Sequence, residues 1–246
     1  MNFELSEEQK MIQQSVERFV QENYDLTNRI KISAEEPGFS KDYWSSMAEL
    51  GWLGLAFDEE DGGFGGNQID TLVVMEQFGK GLVLEPFLAN IVLGGGAIKR
   101  GGSESIKQSI LPDLIEGKLQ VTLAYAEEQS RFDLEDVATS AREESESFVL
   151  NGKKSMVLNA ESADKIVVVA RTSGSQVDEN GISLFLVDAN ADGIEKENFP
   201  TVDGLRASEI SFKDVVVSSE NLIGKKDEGF EILRAVTNDA ILAIAA

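Results

Sequence analysis

The first half of the chain repeats apolar residues every three or four positions, and the second half gathers them into short β-branched runs. Met11, Ile12, Val16, Phe19 and Val20 share one helical face behind a Ser6/Gln9 pair that reads as a capping box. Pro37-Gly38 breaks that pattern, and Ser40 then caps a helix carrying Tyr43, Trp44, Met47 and Leu50, closed by Gly51. Asn67 caps the next, with Ile69, Leu72, Val73, Glu76 and Phe78 at helical spacing. Pro86 starts another through Leu88, Ile91, Val92 and Leu93, and Ser103 opens one with Ile106, Ile110 and Leu111 ahead of Pro112. Leu114-Ile115-Glu116-Gly117 closes this helical half near Lys118.

From there the signal changes period. Leu119 to Ala126, Val137 to Arg142, Lys165 to Arg171, Gly181 to Asp188 and Ser208 to Val217 read as strands. The stretch from Phe148 to Asn159 is the centre of the pattern: two apolar runs meet at Asn151-Gly152, a dipeptide suited to a tight type I′ hairpin. Asn221 to Gly224 reads as a turn, and Phe230, Leu233, Ile241, Leu242 and Ile244 begin a helix still apolar at Ala246. The expected architecture is α+β and multidomain: a helical domain over 1–118, a β-barrel over 119–225, and the first helix of an incomplete C-terminal helical domain over 226–246. That helix ends without a cap, so a further helical region is expected to complete the fold or to come from a partner. Apolar surface left there predicts association into at least a dimer.

Composition narrows the chemistry. With 22 basic against 44 acidic residues the formal charge is −22, which repels nucleic acid and anionic membrane surfaces. The absence of cysteine removes disulfides and thiolate catalysis, and fits a cytoplasmic chain. The absence of histidine removes the usual general base near neutrality and the commonest metal ligand, so no metal site is expected. Met1 to Glu8 is too polar for a signal peptide, and no apolar run approaches the roughly 20 residues of a membrane span.

Two glycine clusters stand out. Asp58 to Gly66 is acidic and glycine-rich, but no Lys-Ser/Thr follows it and its carboxylates would repel phosphate, so it reads as a plain loop. Gly94-Gly95-Gly96 lies within a helical pattern, where each glycine costs about 1 kcal/mol relative to alanine. Either close packing or room for a ligand beside the helix would offset that cost.

These features together resemble the acyl-CoA dehydrogenase family. The matching strings are Leu5 to Gln9, Leu50 to Leu55, Glu60 to Gly66, Leu150 to Lys154, Ala163 to Arg171, Gly181 to Val187, Phe212 to Val217 and Asn221 to Gly224, in family order over almost the whole chain. Within the family, Tyr125 to Ala141 and Pro200 to Ala207 most resemble the small subunit of pimeloyl-CoA dehydrogenase-like heteromers. The resemblance implies FAD, an acyl-CoA substrate dehydrogenated between its α- and β-carbons, and electron-transfer flavoprotein or a similar acceptor. It also implies a homo- or hetero-oligomer with another acyl-CoA dehydrogenase subunit. The family's base is usually a glutamate late in the C-terminal domain; some members carry it on the first C-terminal helix, where this chain has Ala240. No catalytic residue is therefore assigned.

The resemblance places the flavin beside Tyr125, Ala126, Met156 and Leu158. Threonines that bond the flavin in the family fall at Ala126 and Leu158, its aromatic neighbour at Met156, and a serine that contacts phosphate or CoA at Phe132. Three hydroxyls are thus lost, each worth about 0.5 to 1.5 kcal/mol net. Arg131 and Phe132 offer a guanidinium for a pyrophosphate and a ring for a base, unless Phe132 is a plain core or interface aromatic. Gly94 and Gly95 lie where the family lines its acyl cavity, implying a roomy pocket for long, dicarboxylic or polycyclic acyl groups. Two readings follow: a flavin-binding dehydrogenase subunit, or a degenerate partner that stabilises a catalytic homologue. A binding module on the same scaffold is a third.

Overall fold

A computed structural model describes residues 4–246; the first three residues of the polar Met1–Glu8 stretch lie outside it. Among the described residues there are seven α-helices and eight strands. Helices α1 (Glu7–Asn23), α2 (Leu26–Ala34), α3 (Lys41–Glu49), α4 (Gln68–Gly81), α5 (Gly96–Gly101) and α6 (Glu104–Ile115) form the N-terminal half. A π-helical segment, Leu88–Gly95, runs straight into α5. No helix among the described residues is long and apolar enough to cross a membrane.

The expected caps are present. Ser6 and Gln9 bond each other's backbone at the start of α1, Ser40 and Ser103 each accept from an N–H three residues on, and Asn67 with Asp70 forms a second capping box. The aromatic residues then tie these helices together: Phe19 meets Tyr43 and Trp52 edge-on, Trp52 meets Phe78, and Phe78 meets Phe87 at a centroid distance of 5.5 Å. Helical spacing overreached at three positions, since Met11, Leu50 and Ile69 are at least half exposed. The glycine-rich loop, read as a plain loop, uses its glycines for close packing: a side chain at Gly63 or Gly66 would collide with the carbonyl oxygens of Phe57 and Leu55.

The middle of the chain folds as β1 (Val121–Ala124), β2 (Ser140–Glu144), β3 (Ser147–Leu158), β4 (Lys165–Arg171), β5 (Ile182–Asp188), β6 (Ile194–Pro200), β7 (Arg206–Ser218) and β8 (Leu222–Ile223). The strands make one mixed sheet in the order β6-β7-β3-β2-β4-β5-β8, with β1 parallel to β4. The sheet encloses a core of its own around Phe148, Leu150, Phe185 and Phe212. Its other face, through Val167, Val169, Leu184 and Leu186, joins the larger core shared with the helices and with α7 (Phe230–Ala245). Strands β4 and β5 are buried on both sides, which explains their largely apolar runs, interrupted in β5 only by Ser183.

The Asn151-Gly152 hairpin is overturned. Phe148 to Leu158 belongs to one strand, and the turn lies upstream at Ser145-Glu146, where Glu144 pairs with Ser147 and Ser145 takes φ +55°. Asn151 and Gly152 instead face a bulge in β7: from Leu150 to Gly152 the partner moves from Val215 to Phe212, Asp214 takes φ +51° and Gly152 φ +151°, and the Asn151 amide exchanges two hydrogen bonds with Asp214. The special backbone that Asn-Gly permits is used, but to bend a strand. Two strands escaped the pattern: β6 is a largely exposed edge with charges along it, and β8 is two residues inside the stretch read as a turn.

Candidate functional site

A second bulge, this one in β3, shapes the site. The register against β7 shifts again between Lys154 and Val157, Met156 takes φ +52°, and its side chain is turned outward, 51% exposed. Just before the bulge, the Ser155 N–H donates to the Ala126 carbonyl at 2.9 Å, which brings Tyr125, Ala126 and Met156 to one edge. Tyr125 is half-buried, and burial pushes its phenol pKa up. Leu158, at the end of the same strand, is half-buried, and its carbonyl accepts from the buried Thr122 hydroxyl at 2.6 Å.

A buried ion pair underlies that edge. The Lys154 ammonium is fully buried and lies 2.6 Å from the Glu127 carboxylate and 3.1 Å from the Tyr125 carbonyl. Glu127 also accepts from the backbone of Ala138 and Thr139 and from Gln129. Burial pushes the Lys154 pKa down to about 8, with the charge of Glu127 and its hydrogen bond opposing. Burial raises Glu127, but the charge and hydrogen bonds of Lys154, together with Gln129 and Thr139, hold it below the usual carboxylate range. Both groups are therefore charged at neutrality. The pair was missed in the sequence although a signal existed: Lys154 has the inward parity of Phe148 and Leu150 along β3.

Arg131 and Phe132 sit on the connection between β1 and β2. A tight turn at Glu127–Ser130 throws them outward, with Arg131 at φ +49° and exposed, and Phe132 96% exposed. Phe132 is thus not a core aromatic. The rest of the connection is fixed by Arg171, which donates to the carbonyls of Val137, Glu135, Gln176, Asp178 and Asn180.

Gly94 and Gly95 are given to packing, which corrects the expectation that they open an acyl cavity. A side-chain carbon at Gly94 would lie 2.4 Å from the Val121 carbonyl oxygen, and one at Gly95 would lie 2.6 Å from the Phe57 ring. The glycines let the π-helical segment press against β1. Of the three, only Gly96 borders a cavity, a space of about 240 Å³ between α4, α5 and α7. Gly94→Ala is expected to destabilise the chain by about 1–3 kcal/mol through overpacking. A thermal midpoint equal to that of the parent would contradict it.

A second cleft, about 390 Å³, lies where the two halves of the molecule meet. Its walls are the Pro37–Phe39 loop, Met75 and Phe78 of α4, the 82–89 stretch, Leu158 and Asn159, Leu205 and Arg206, and Ala243 and Ile244 of α7. Its lining is mostly apolar, with Glu85 buried in one wall. A sequence signal for Glu85 was present: an acidic residue directly ahead of Pro86 in an apolar run.

The Met156 edge meets only part of what a flavin needs. The exposed Met156 side chain offers apolar surface, but Ala126 and Leu158 bring no hydroxyl, and the Met156 N–H already donates to the Glu209 carboxylate at 3.3 Å. The adjoining groove, about 500 Å³, is lined by Glu127, Glu128, Glu195, Glu197 and Glu209 against only Lys153 and Lys196, a poor setting for a pyrophosphate. These residues alone do not fit FAD.

Comparison with known proteins places this geometry. The family model "Acyl-CoA dehydrogenase, N-terminal domain" matches residues 6–118, and "Acyl-CoA dehydrogenase, middle domain" matches residues 122–215. The probable acyl-CoA dehydrogenase YngJ of Bacillus subtilis is 29% identical over 100% of this chain and 66% of its own length. The caffeyl-CoA reductase-Etf complex subunit CarC of Acetobacterium woodii is 29% identical over 92% of this chain and 60% of its own. The solved FAD complex of PigA superposes with a TM-score of 0.87 at 25% identity, covering 99% of this chain and 67% of that one. This chain spans less than two thirds of the length of YngJ and CarC.

Proposed function

The chain belongs to the acyl-CoA dehydrogenase family, and from that premise we propose that it is a subunit of an FAD-dependent enzyme that dehydrogenates an acyl-CoA thioester between its α- and β-carbons. The observation that carries this reading is the cleft: the end of β3 at Leu158, beside the Met156 edge, forms one wall, and the start of the π-helical segment at Leu88 and Ala89 forms another. An acyl chain would lie between these walls, and the residues at the Leu158 end would hold a flavin only together with another subunit. FAD supplies the electron sink in this chemistry, and the chain's own residues bind, orient and exclude water.

The poor fit of the Met156 edge on its own supports a shared flavin site, completed by residues from another subunit. The base is then also supplied from outside these 246 residues, since the helical position that holds it in some relatives is the buried Ala240. The resemblance of Tyr125 to Ala141 and Pro200 to Ala207 to the pimeloyl-CoA dehydrogenase small-subunit group favours a heteromer. Electron-transfer flavoprotein is the redox partner we propose, since the name of CarC places that relative in a complex with Etf. A second reading, a partner that holds no flavin, is favoured by the engagement of the Met156 N–H with Glu209.

Flavin counting separates these. The isolated chain is expected to carry well under one flavin per chain, and the native complex to carry flavin in proportion to its complete sites. Full occupancy in the isolated chain would overturn the shared site. A colourless native complex without acyl-CoA oxidation would overturn the dehydrogenase reading.

A further inference from the structure

One buried polar group in the cleft between the two halves is not fully used by the fold. Glu85, 5% exposed, accepts from the Tyr24 hydroxyl on one oxygen and from the Ser40 N–H at 3.1 Å on the other. Further lone pairs, or the proton of the neutral acid, remain for the cleft that Glu85 lines. Arg206 also lines the cleft; it donates from one terminal nitrogen to the carbonyls of Ser33 and Glu35, and its Nε–H is buried against Gly38 without a partner. The two belong to one neighbourhood: Arg206 lies against Gly38, two residues before Ser40, whose N–H holds Glu85. Arg29 lines the same cleft with its guanidinium committed to the Leu82 and Asp203 carbonyls, and Asp203 and Tyr24 are the remaining ionisable neighbours.

An apolar pocket with a few converging polar groups selects ligands by satisfying those groups. A buried carboxyl with hydrogen-bonding capacity to spare gains more from a ligand oxygen that reaches it than from a methyl. We propose that this cleft selects acyl chains whose far end carries a hydroxyl or ketone oxygen, held by Glu85, over plain hydrocarbon chains of the same length. The selection deepens the acyl-CoA reading above and rests on it. It also has a pH signature. A hydroxyl both donates and accepts, so it is held whether Glu85 is neutral or ionised. A ketone only accepts, so its bond to Glu85 needs the acid form. Burial of Glu85, against the hydrogen bonds of the Ser40, Glu85 and Leu84 backbone, raises its pKa to about 7, which places the loss near neutrality.

The test is calorimetric binding to the full chain of acyl-CoA thioesters matched in length, across a range of lengths, ending in a methyl, a hydroxyl or a methyl ketone. The oxygenated members are expected to bind about tenfold tighter than the methyl member at the length that reaches Glu85. The ketone's advantage is expected to fade by about tenfold from about pH 6 to about pH 8 while the hydroxyl's persists. In Glu85→Gln the ketone's affinity should become flat with pH, because the amide donates at every pH. Equal affinities of the three end groups at every length would overturn this inference alone. Failure of every thioester to bind would overturn the acyl-CoA reading, and this selection with it.

Discussion

Replacing Lys154 by methionine is expected to lower the stability of the chain by about 3–5 kcal/mol, among the largest effects of any single substitution in the middle domain. The size follows from what remains. Glu127 would keep its amide donors at Ala138, Thr139 and Gln129 but lose the one cation bonded to it, leaving only the longer-range charge of Arg171, inside a site where the two side chains of the pair are 0% and 3% exposed. An uncompensated buried carboxylate costs far more than the median surface ion pair contributes, which is about 0–1 kcal/mol. The double variant Glu127→Gln/Lys154→Met removes both charges, so much of the loss should return. Urea unfolding with an unchanged slope is the measurement. A single variant within about 1 kcal/mol of the parent, or a double variant no better than the single, would refute the account. The same substitution bears on function, because Lys154 also holds the Tyr125 carbonyl and so fixes the edge shared with Met156.

What could be read in the sequence was what depends on local chemistry or simple period. Ser6, Ser40, Asn67 and Ser103 cap helices because their side-chain oxygens take the free N–H groups of a first turn, and no tertiary contact is needed for that. Strands β4 and β5 were legible because burial on both faces keeps them largely apolar, the buried Ser183 being held by hydrogen bonds with Thr172 and the Asp227 N–H. Asn151-Gly152 misled because the dipeptide reports only that unusual backbone is tolerated; whether it makes a turn or faces a bulge is settled by Asp214, distant in sequence. Strand β6 was invisible for the opposite reason, an exposed edge being free to carry charge. The glycine triplet was ambiguous until Val121 and Phe57 were known to face it. Along the site, the Tyr125, Ala126 and Met156 edge was placed by resemblance and is brought together by one hydrogen bond, whereas Glu85 and Arg206 are joined to the cleft only by the fold.

The stability difference between the parent and Glu85→Gln is expected to shift by about 3 kcal/mol across the window from pH 4.5 to about pH 7. Burial raises the Glu85 pKa from 4.5 to about 7, so within that window the folded chain holds a proton that the unfolded chain has released. The folded state then binds more protons, and stability falls as pH rises. The contribution is fully present below pH 4.5 and is lost once the carboxyl ionises in place above about pH 7, and the gap between the two pKa values corresponds to about 3 kcal/mol. Glutamine cannot ionise, so its variant lacks this slope whatever it gains or loses at the Ser40 N–H. The parent should therefore be favoured at the acid end, and the variant should gain on it steadily toward neutrality. Paired denaturant titrations at intervals of pH report the difference directly, with the other carboxylates cancelling between the two chains. A difference constant with pH would place the Glu85 carboxyl at its ordinary value, and would remove both the burial argument and the pH signature expected for a ketone in the cleft. A difference of opposite slope would mean that Arg29 and Arg206 outweigh desolvation and hold Glu85 ionised.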